Sequence, residues 1–258
     1  VKPTSPDPDV SIVIPDWPAP AMVGAAVTTR RLRGMSRAPF DAFNLGARSG
    51  DDANAVAANR AALTTILQLP SVPRWLHQVH GIEVLDADAP SAADAEPAAD
   101  AAIARDSDAV LAVLSADCLP ILFAADDGSA IAAAHAGWRG LAGGVIEATI
   151  ARLGIPAARL VTWLGPAIAA RSYEVGNEVR AAFLETDDGA ASAFEATRPG
   201  HWRCDLYALA RRRLTAAGVS SIHGGDLDTF DDPRFYSYRR EHITGRFATL
   251  IWRAGRDQ

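Results

Sequence analysis

A chain of 258 residues with 49% hydrophobic content can bury one large core or two small ones without a disulfide scaffold. Its formal net charge of −6 argues against a general nucleic-acid binder, because neutralising phosphates takes clustered Lys and Arg. The only lysine is Lys2, in a Pro- and Asp-rich start, which excludes Schiff-base enzymes and Walker A nucleotide hydrolases, both built around a pre-positioned lysine amine.

Residues 1 to 10 are predicted to be a disordered tail, and residues 11 to 258 a single catalytic domain. Ser11 to Pro15 reads as a first strand and Ala25 to Arg30 as a second, whose end delivers Arg30. The following RLRGMSRAPFDAFNLG is too rich in Gly, Pro and Arg to be regular and is a functional-loop candidate. Asp51 to Leu67 has an acidic start and apolar residues at helical spacing, so an amphipathic helix is expected, closed by Pro70. Arg74 to Leu85 reads as strand, turn at Gly81, strand. The Ala/Asp/Pro-rich stretch from Asp86 to Asp106 is taken as a surface loop.

The most apolar run, AVLAVLSADCLPILFAA, together with SAIAAAHAGWRG after a DDG turn, is expected to form two buried strands bearing polar residues. A helix from Gly143, a strand over LVTWLGPAI, helices over NEVRAAFLE and CDLYALARRRLTAAG, and a last strand over RFATLIWRA complete the chain. Mixed order without a repeated βαβ rhythm predicts an α/β (α+β) sandwich, mixed sheets flanked by helices, rather than a doubly wound sheet. No apolar run reaches the 18 or so residues of a membrane span. Cys118 and Cys204 alone, with no signal-peptide pattern, lead us to expect a cytoplasmic protein.

Polar side chains in apolar strand regions need partners, and His80 in QVHG, Cys118 in SADCLP and His135 in AAAHAGWRG each sit beside Gly or Pro in such a setting. Their spacing leaves three readings open: hydrogen-bonded core residues, a Cys–His nucleophile pair, or a zinc site with an open fourth position. Alternation along a strand would put His77 and His80 on opposite faces, so only one of them should face such a site. Glu83 reads as a solvated strand residue. The Gly137 to Gly144 turn with Arg139 offers backbone N–H groups and a cation to an anion, or is simply a tight glycine turn. The segment from Asp231 to Arg246 mixes aromatic and Arg residues suited to a base or a phosphate.

In order along the chain, TTR, FNLG followed by GDD, NR, QVHG, SADCLPI, HAGWRG, LGPAI, YEVG, and FYSYRR with TGR resemble the laccase-domain, or YfiH-type, purine nucleoside phosphorylase family, over about Val23 to Ile251. The family's older label is multicopper polyphenol oxidase. The resemblance implies zinc bound by His80, Cys118 and His135, the residues that would carry catalysis. It further implies purine nucleosides and phosphate as partners, with phosphorolysis of adenosine, inosine or methylthioadenosine and deamination of adenosine. Substrate contacts would fall on Arg30, Asn44 and Arg239, with Arg139 beside them, and Asp117 is the candidate proton relay for deamination. Two positions depart from the family pattern: Arg48 stands where His is common, and Asp228 where Cys is common. Copper in place of zinc, as in a phenol oxidase, and a non-enzymatic metal-binding module are the alternatives; six histidines in the chain make a trinuclear copper cluster hard to furnish.

Overall fold

The computed structural model describes residues 11–89, 96–105 and 108–253. The expected tail over 1–10 and the middle of the expected loop, 90–95, lie outside the described residues. The strands are β1 (Ile12–Val13), β2 (Val23–Thr28), β3 (Val84–Asp86), β4 (Ala101–Ala104), β5 (Val110–Ser115), β6 (Leu119–Ala125), β7 (Ile131–Ala136), β8 (Leu160–Leu164), β9 (Glu174–Gly176), β10 (Phe194–Arg198), β11 (His201–Cys204), β12 (Ser221–Gly224) and β13 (Phe247–Arg253). The α-helices are α1 (Ala53–Ile66), α2 (Trp138–Gly143), α3 (Val145–Leu153), α4 (Asn177–Leu184), α5 (Leu206–Ala216) and α6 (Tyr238–Glu241).

The strands form a six-stranded sheet ordered β12-β8-β6-β7-β4-β3, a four-stranded sheet ordered β1-β2-β13-β5, and a small sheet ordered β10-β11-β9. The large sheet is mixed: β12 pairs parallel with β8 and β3 with β4, whereas β6 pairs antiparallel with both β7 and β8.

Side-chain alternation explains how these sheets stack. Along β6, Leu119, Ile121 and Phe123 point into a core shared with Val145 and Ile146 of α3 and Leu209 and Leu214 of α5. Leu122 and Ala124 point the other way, into a second core with Leu111 and Val113 of β5 and Phe247 and Ile251 of β13. The opposite face of the four-stranded sheet, with Val110, Ala112 and Leu250, packs against Leu63 of α1 and against Phe43 and Leu45. The result is helices, six-stranded sheet, four-stranded sheet, helix: an α–β–β–α sandwich in which both sheets are covered on both faces. The expected mixed sandwich is borne out.

α1 starts where its sequence predicts, because the Asp52 carboxylate accepts the Asn54 and Ala55 N–H groups. Three expectations need correction. The stretch Asp86–Asp106 is not all loop: β4 lies inside it, fully buried between β7 and β3. Its alanines carry little strand propensity, and the strand exists because neighbours cover both its faces. The apolar run 109–125 is two strands rather than one, since it leaves the four-stranded sheet at Ser115 and enters the large sheet at Leu119, so that with β7 the region holds three strands. Residues 74–80 do not form a strand; only isolated bridges at Arg74 and His77 mark them.

Leu122 is fully buried between the two sheets. Leu122→Ala is expected to lower unfolding stability by about 2–5 kcal/mol and Asp52→Ala by about 1 kcal/mol, both read by urea denaturation.

Candidate metal centre

The three side chains singled out in the sequence converge where the two sheets are joined. Cys118 ends the crossover from β5 to β6, and His135 lies on β7 in register with Pro120 of β6, one residue past Leu119. His80 comes from the irregular segment before β3, at a φ of +61°. The Cys118 Sγ and His80 Nε2 are 3.7 Å apart, the His80 and His135 rings meet edge to face at 4.8 Å, and the three potential donor atoms all lie within 4.8 Å of one another. Among the described residues this is the one such cluster, and His77 is not part of it.

Asp100, just before β4, organises this cluster. It is completely buried, and its Oδ1 accepts the His80 N–H at 2.9 Å and lies 2.9 Å from His135 Nδ1. Its Oδ2 accepts the N–H groups of Val79 at 3.1 Å and Gly81 at 2.6 Å. One carboxylate thus holds the His80 loop in its left-handed turn and keeps the Nδ1 proton on His135, leaving Nε2 for a ligand role. Burial alone would raise the Asp100 carboxyl, but the hydrogen bonds from His135 and Gly81 outweigh it and hold the group below the usual carboxylate range.

Close approach also explains the glycines of HAGWRG. A Cβ on Gly137 would sit 2.7 Å from His80 Cδ2 and 3.1 Å from Cys118 Sγ, and one on Gly140 would meet the Gly81 carbonyl at 2.8 Å. The segment read as a glycine turn is therefore a short helix, α2, pressed against the His80 loop.

Desolvation raises the Cys118 thiol, but His135 and His80 overcome it and lower the thiol to about 6. Burial likewise lowers His135, yet the negative charge of Cys118 and the bond to Asp100 push it up to about 9. Both shifts favour a thiolate beside a protonated imidazole, whose proton an incoming cation would displace. Two imidazoles, a thiolate and a supporting carboxylate are the donor chemistry of a three-ligand zinc site, so the residues present fit the metal. Cys204 is the opposite case, a fully buried thiol that burial and Asp205 push up to about 12.

The cluster opens into a cavity of about 540 Å³ lined also by Arg139 and Arg239, by Arg48, Arg60 and Arg246, and by Tyr173 and Tyr238. Arg139 stacks over Trp138 and Arg239 over Tyr173. Arg30 and Asn44 do not line it. The Arg30 guanidinium lies over the Tyr236 ring and pairs with Glu241 at 2.6 Å. Asn44 is fully buried; its amide donates to Ser49 and Asp51, and its Oδ1 accepts the N–H groups of Gly46 and Arg246. Both residues are tied into the fold, outside the cavity lining. Asp117 lines the cavity at a φ of +98°, but each carboxylate oxygen is engaged, one by the Thr229 hydroxyl and the other by the Arg239 N–H, both at 2.7 Å. It ties the Cys118 turn to the Arg239 segment. Arg48 is paired with Glu96, and Asp228 caps the Ala169 and Phe230 N–H groups away from the cavity. Sequence reasoning missed Asp100, and it marked Arg246 only as the end of the Asp231 to Arg246 segment. Asp100 stands in an Ala/Asp run with nothing to mark it, whereas Arg246 ends the conspicuous TGR block.

A two-sheet α–β–β–α sandwich with a His–Cys–His cluster at the sheet junction defines the class. The family described as multi-copper polyphenol oxidoreductase laccase matches residues 25–254. A purine nucleoside phosphorylase of Xylella fastidiosa (strain Temecula1 / ATCC 700964) is 54% identical over 93% of this chain and 96% of its own length. Purine nucleoside phosphorylase YfiH of Escherichia coli (strain K12) is 44% identical over 93% and 98%. A crystal structure of a Neisseria meningitidis protein superposes with a TM-score of 0.91 at 43% identity, covering 95% of this chain and all of that one. The chain belongs to this laccase-domain, YfiH-type purine nucleoside phosphorylase family.

In metal-free protein, iodoacetamide is expected to alkylate Cys118 and spare Cys204. The rate should rise as pH passes through about 6 and the thiolate forms; peptide mass spectrometry across pH checks this, and added zinc should suppress the reaction. Asp100→Ala is expected to weaken zinc binding about 10–100-fold, read by competition with a chromogenic chelator.

Proposed function

We propose that this chain is a zinc-dependent purine nucleoside phosphorylase acting on adenosine, inosine and methylthioadenosine, and that it also deaminates adenosine. The observation that carries the reading is that the His80–Cys118–His135 cluster and several arginine side chains line one cavity, so a metal and a phosphate can meet on one substrate. Its volume of about 540 Å³ suits a nucleoside-sized ligand. His80, Cys118 and His135 would hold the metal, and a bound Zn²⁺ supplies Lewis acidity beside the reacting bond.

In phosphorolysis a phosphate oxygen bonds to C1′ of the ribose while the C1′–N9 bond breaks. The electron pair leaves with the purine, which gains the proton given up by hydrogen phosphate. Arg139 and Arg239 compensate the phosphate charge, and Tyr173 and Tyr238 present aromatic surface to the base. In deamination water adds at C6 of adenosine and ammonia departs. The same proposal takes residues 11–258 as one catalytic domain, with residues 1–10 outside it, acting in the cytoplasm. No helix of the described residues is long and apolar enough to cross a membrane.

Purified protein incubated with adenosine and phosphate is expected to release adenine, with inosine as the deamination product and hypoxanthine from phosphorolysis of that inosine, all followed by chromatography. Cys118→Ala should abolish turnover, and equal product from wild type and variant would overturn the mechanism. Elemental analysis of protein made without added metal should find near-stoichiometric zinc; copper at that level would favour the phenol oxidase, and metal without turnover the binding module.

A further inference from the structure

The five arginines that line the cavity are not equivalent. Arg48 and Arg60 share the Glu96 carboxylate, and Arg60 also stacks on Trp75 and donates to the Leu45 carbonyl. Arg139 and Arg239 are exposed and sit over aromatic rings. Arg246 differs from all of these. Its backbone N–H is held by Asn44 Oδ1 at 2.8 Å, and its stem passes Gly46 so closely that a Cβ there would lie 2.7 Å from Arg246 Cγ. Its Nη1 donates to the Thr244 and Gly245 carbonyls, both at 2.9 Å.

Those bonds fix the guanidinium plane and use one nitrogen. Among the described residues, Nε and Nη2 have no protein acceptor, and no carboxylate lies within ion-pair distance. A half-buried guanidinium edge with no acceptor is costly unless a ligand supplies one. The free Nε/Nη2 edge matches two oxygens of a tetrahedral oxyanion. Desolvation holds the Arg246 guanidinium below its usual range, offset in part by Cys118 and Asp117 nearby.

We propose that Arg246 is the anion anchor of the cavity, gripping a phosphoryl group through its Nε/Nη2 edge. This rests on the reading of the cavity as a phosphorolysis site, and it names the residue that orders the phosphate there. Inorganic phosphate and the phosphate ester of a nucleotide share the required chemistry.

The test uses the zinc-loaded full chain as wild type, Arg246→Lys and Arg246→Gln, each checked for zinc content and circular dichroism. Arg246→Lys keeps the cation and the backbone bond to Asn44, so it serves if Arg246→Gln folds poorly. Initial rates with adenosine are expected to show the KM for phosphate raised about ten- to hundredfold in Arg246→Gln, and only partly restored in Arg246→Lys, because a point charge lacks the fork. The KM for adenosine should stay within about twofold of wild type. Thermal melts with inorganic phosphate or adenosine 5′-monophosphate should show stabilisation of wild type that both variants lose or weaken. Stabilisation by the monophosphate alone identifies the ester as the ligand. An unchanged phosphate KM, together with wild-type stabilisation by both anions in Arg246→Lys, would overturn the proposal. If wild type forms no phosphate-dependent product, yet either anion stabilises it and not the variants, the phosphorylase reading falls and the Arg246 site stands.

Discussion

The buried carboxylate of Asp100 is the constraint on which the candidate centre depends. Enclosing a lone carboxylate costs several kcal/mol, and here three backbone N–H groups and the His135 imidazole offset that cost. The donors come from two separate stretches of chain, so satisfying the charge draws both onto β4. The His135 N–H also donates to the Asp100 carbonyl at 2.7 Å, which locks the register of β4 against β7. Ligand geometry and sheet geometry are therefore set by the same few bonds.

The second organising feature is the crossover between sheets. Residues 116–118 carry the chain from the four-stranded to the six-stranded sheet, where it cannot follow either hydrogen-bonding ladder. Asp117 stabilises the left-handed turn this requires by accepting from Thr229 and Arg239. The turn, the Arg239 segment and the cavity wall are thus one connected unit, which brings cationic side chains to a thiolate in a protein of net negative charge. Arginine suits both duties here: Arg30 and Arg60 are consumed by ion pairs and ring stacking within the fold, while Arg246 keeps one edge of its fork unused.

Elements with strong periodicity are legible in the residues themselves: α1 in its Asp52 cap and apolar spacing, α3, α4 and α5 in theirs, and β6, β7 and β13 in their apolar runs. The exceptions have identifiable physical causes. β4 is an alanine strand whose burial comes from its neighbours, so no local pattern announces it. Residues 74–80 read as a strand, but the Asp100 carboxylate captures N–H groups at their end. Arg30 and Asn44 carry the right chemistry for a substrate contact, and nothing local reveals that Glu241, Asp51 and Arg246 already occupy them.

The sequence by itself determined the residue types at the centre, the mixed sandwich and the family, because ligand chemistry, hydrophobic period and ordered motif blocks are local properties. The tertiary structure alone decided which polar groups are free. That depends on hydrogen bonds and ion pairs between segments far apart in the chain, which made Asp117 a tie between loops, left one edge of the Arg246 fork without a protein partner, and gave Asp100 command of both histidines.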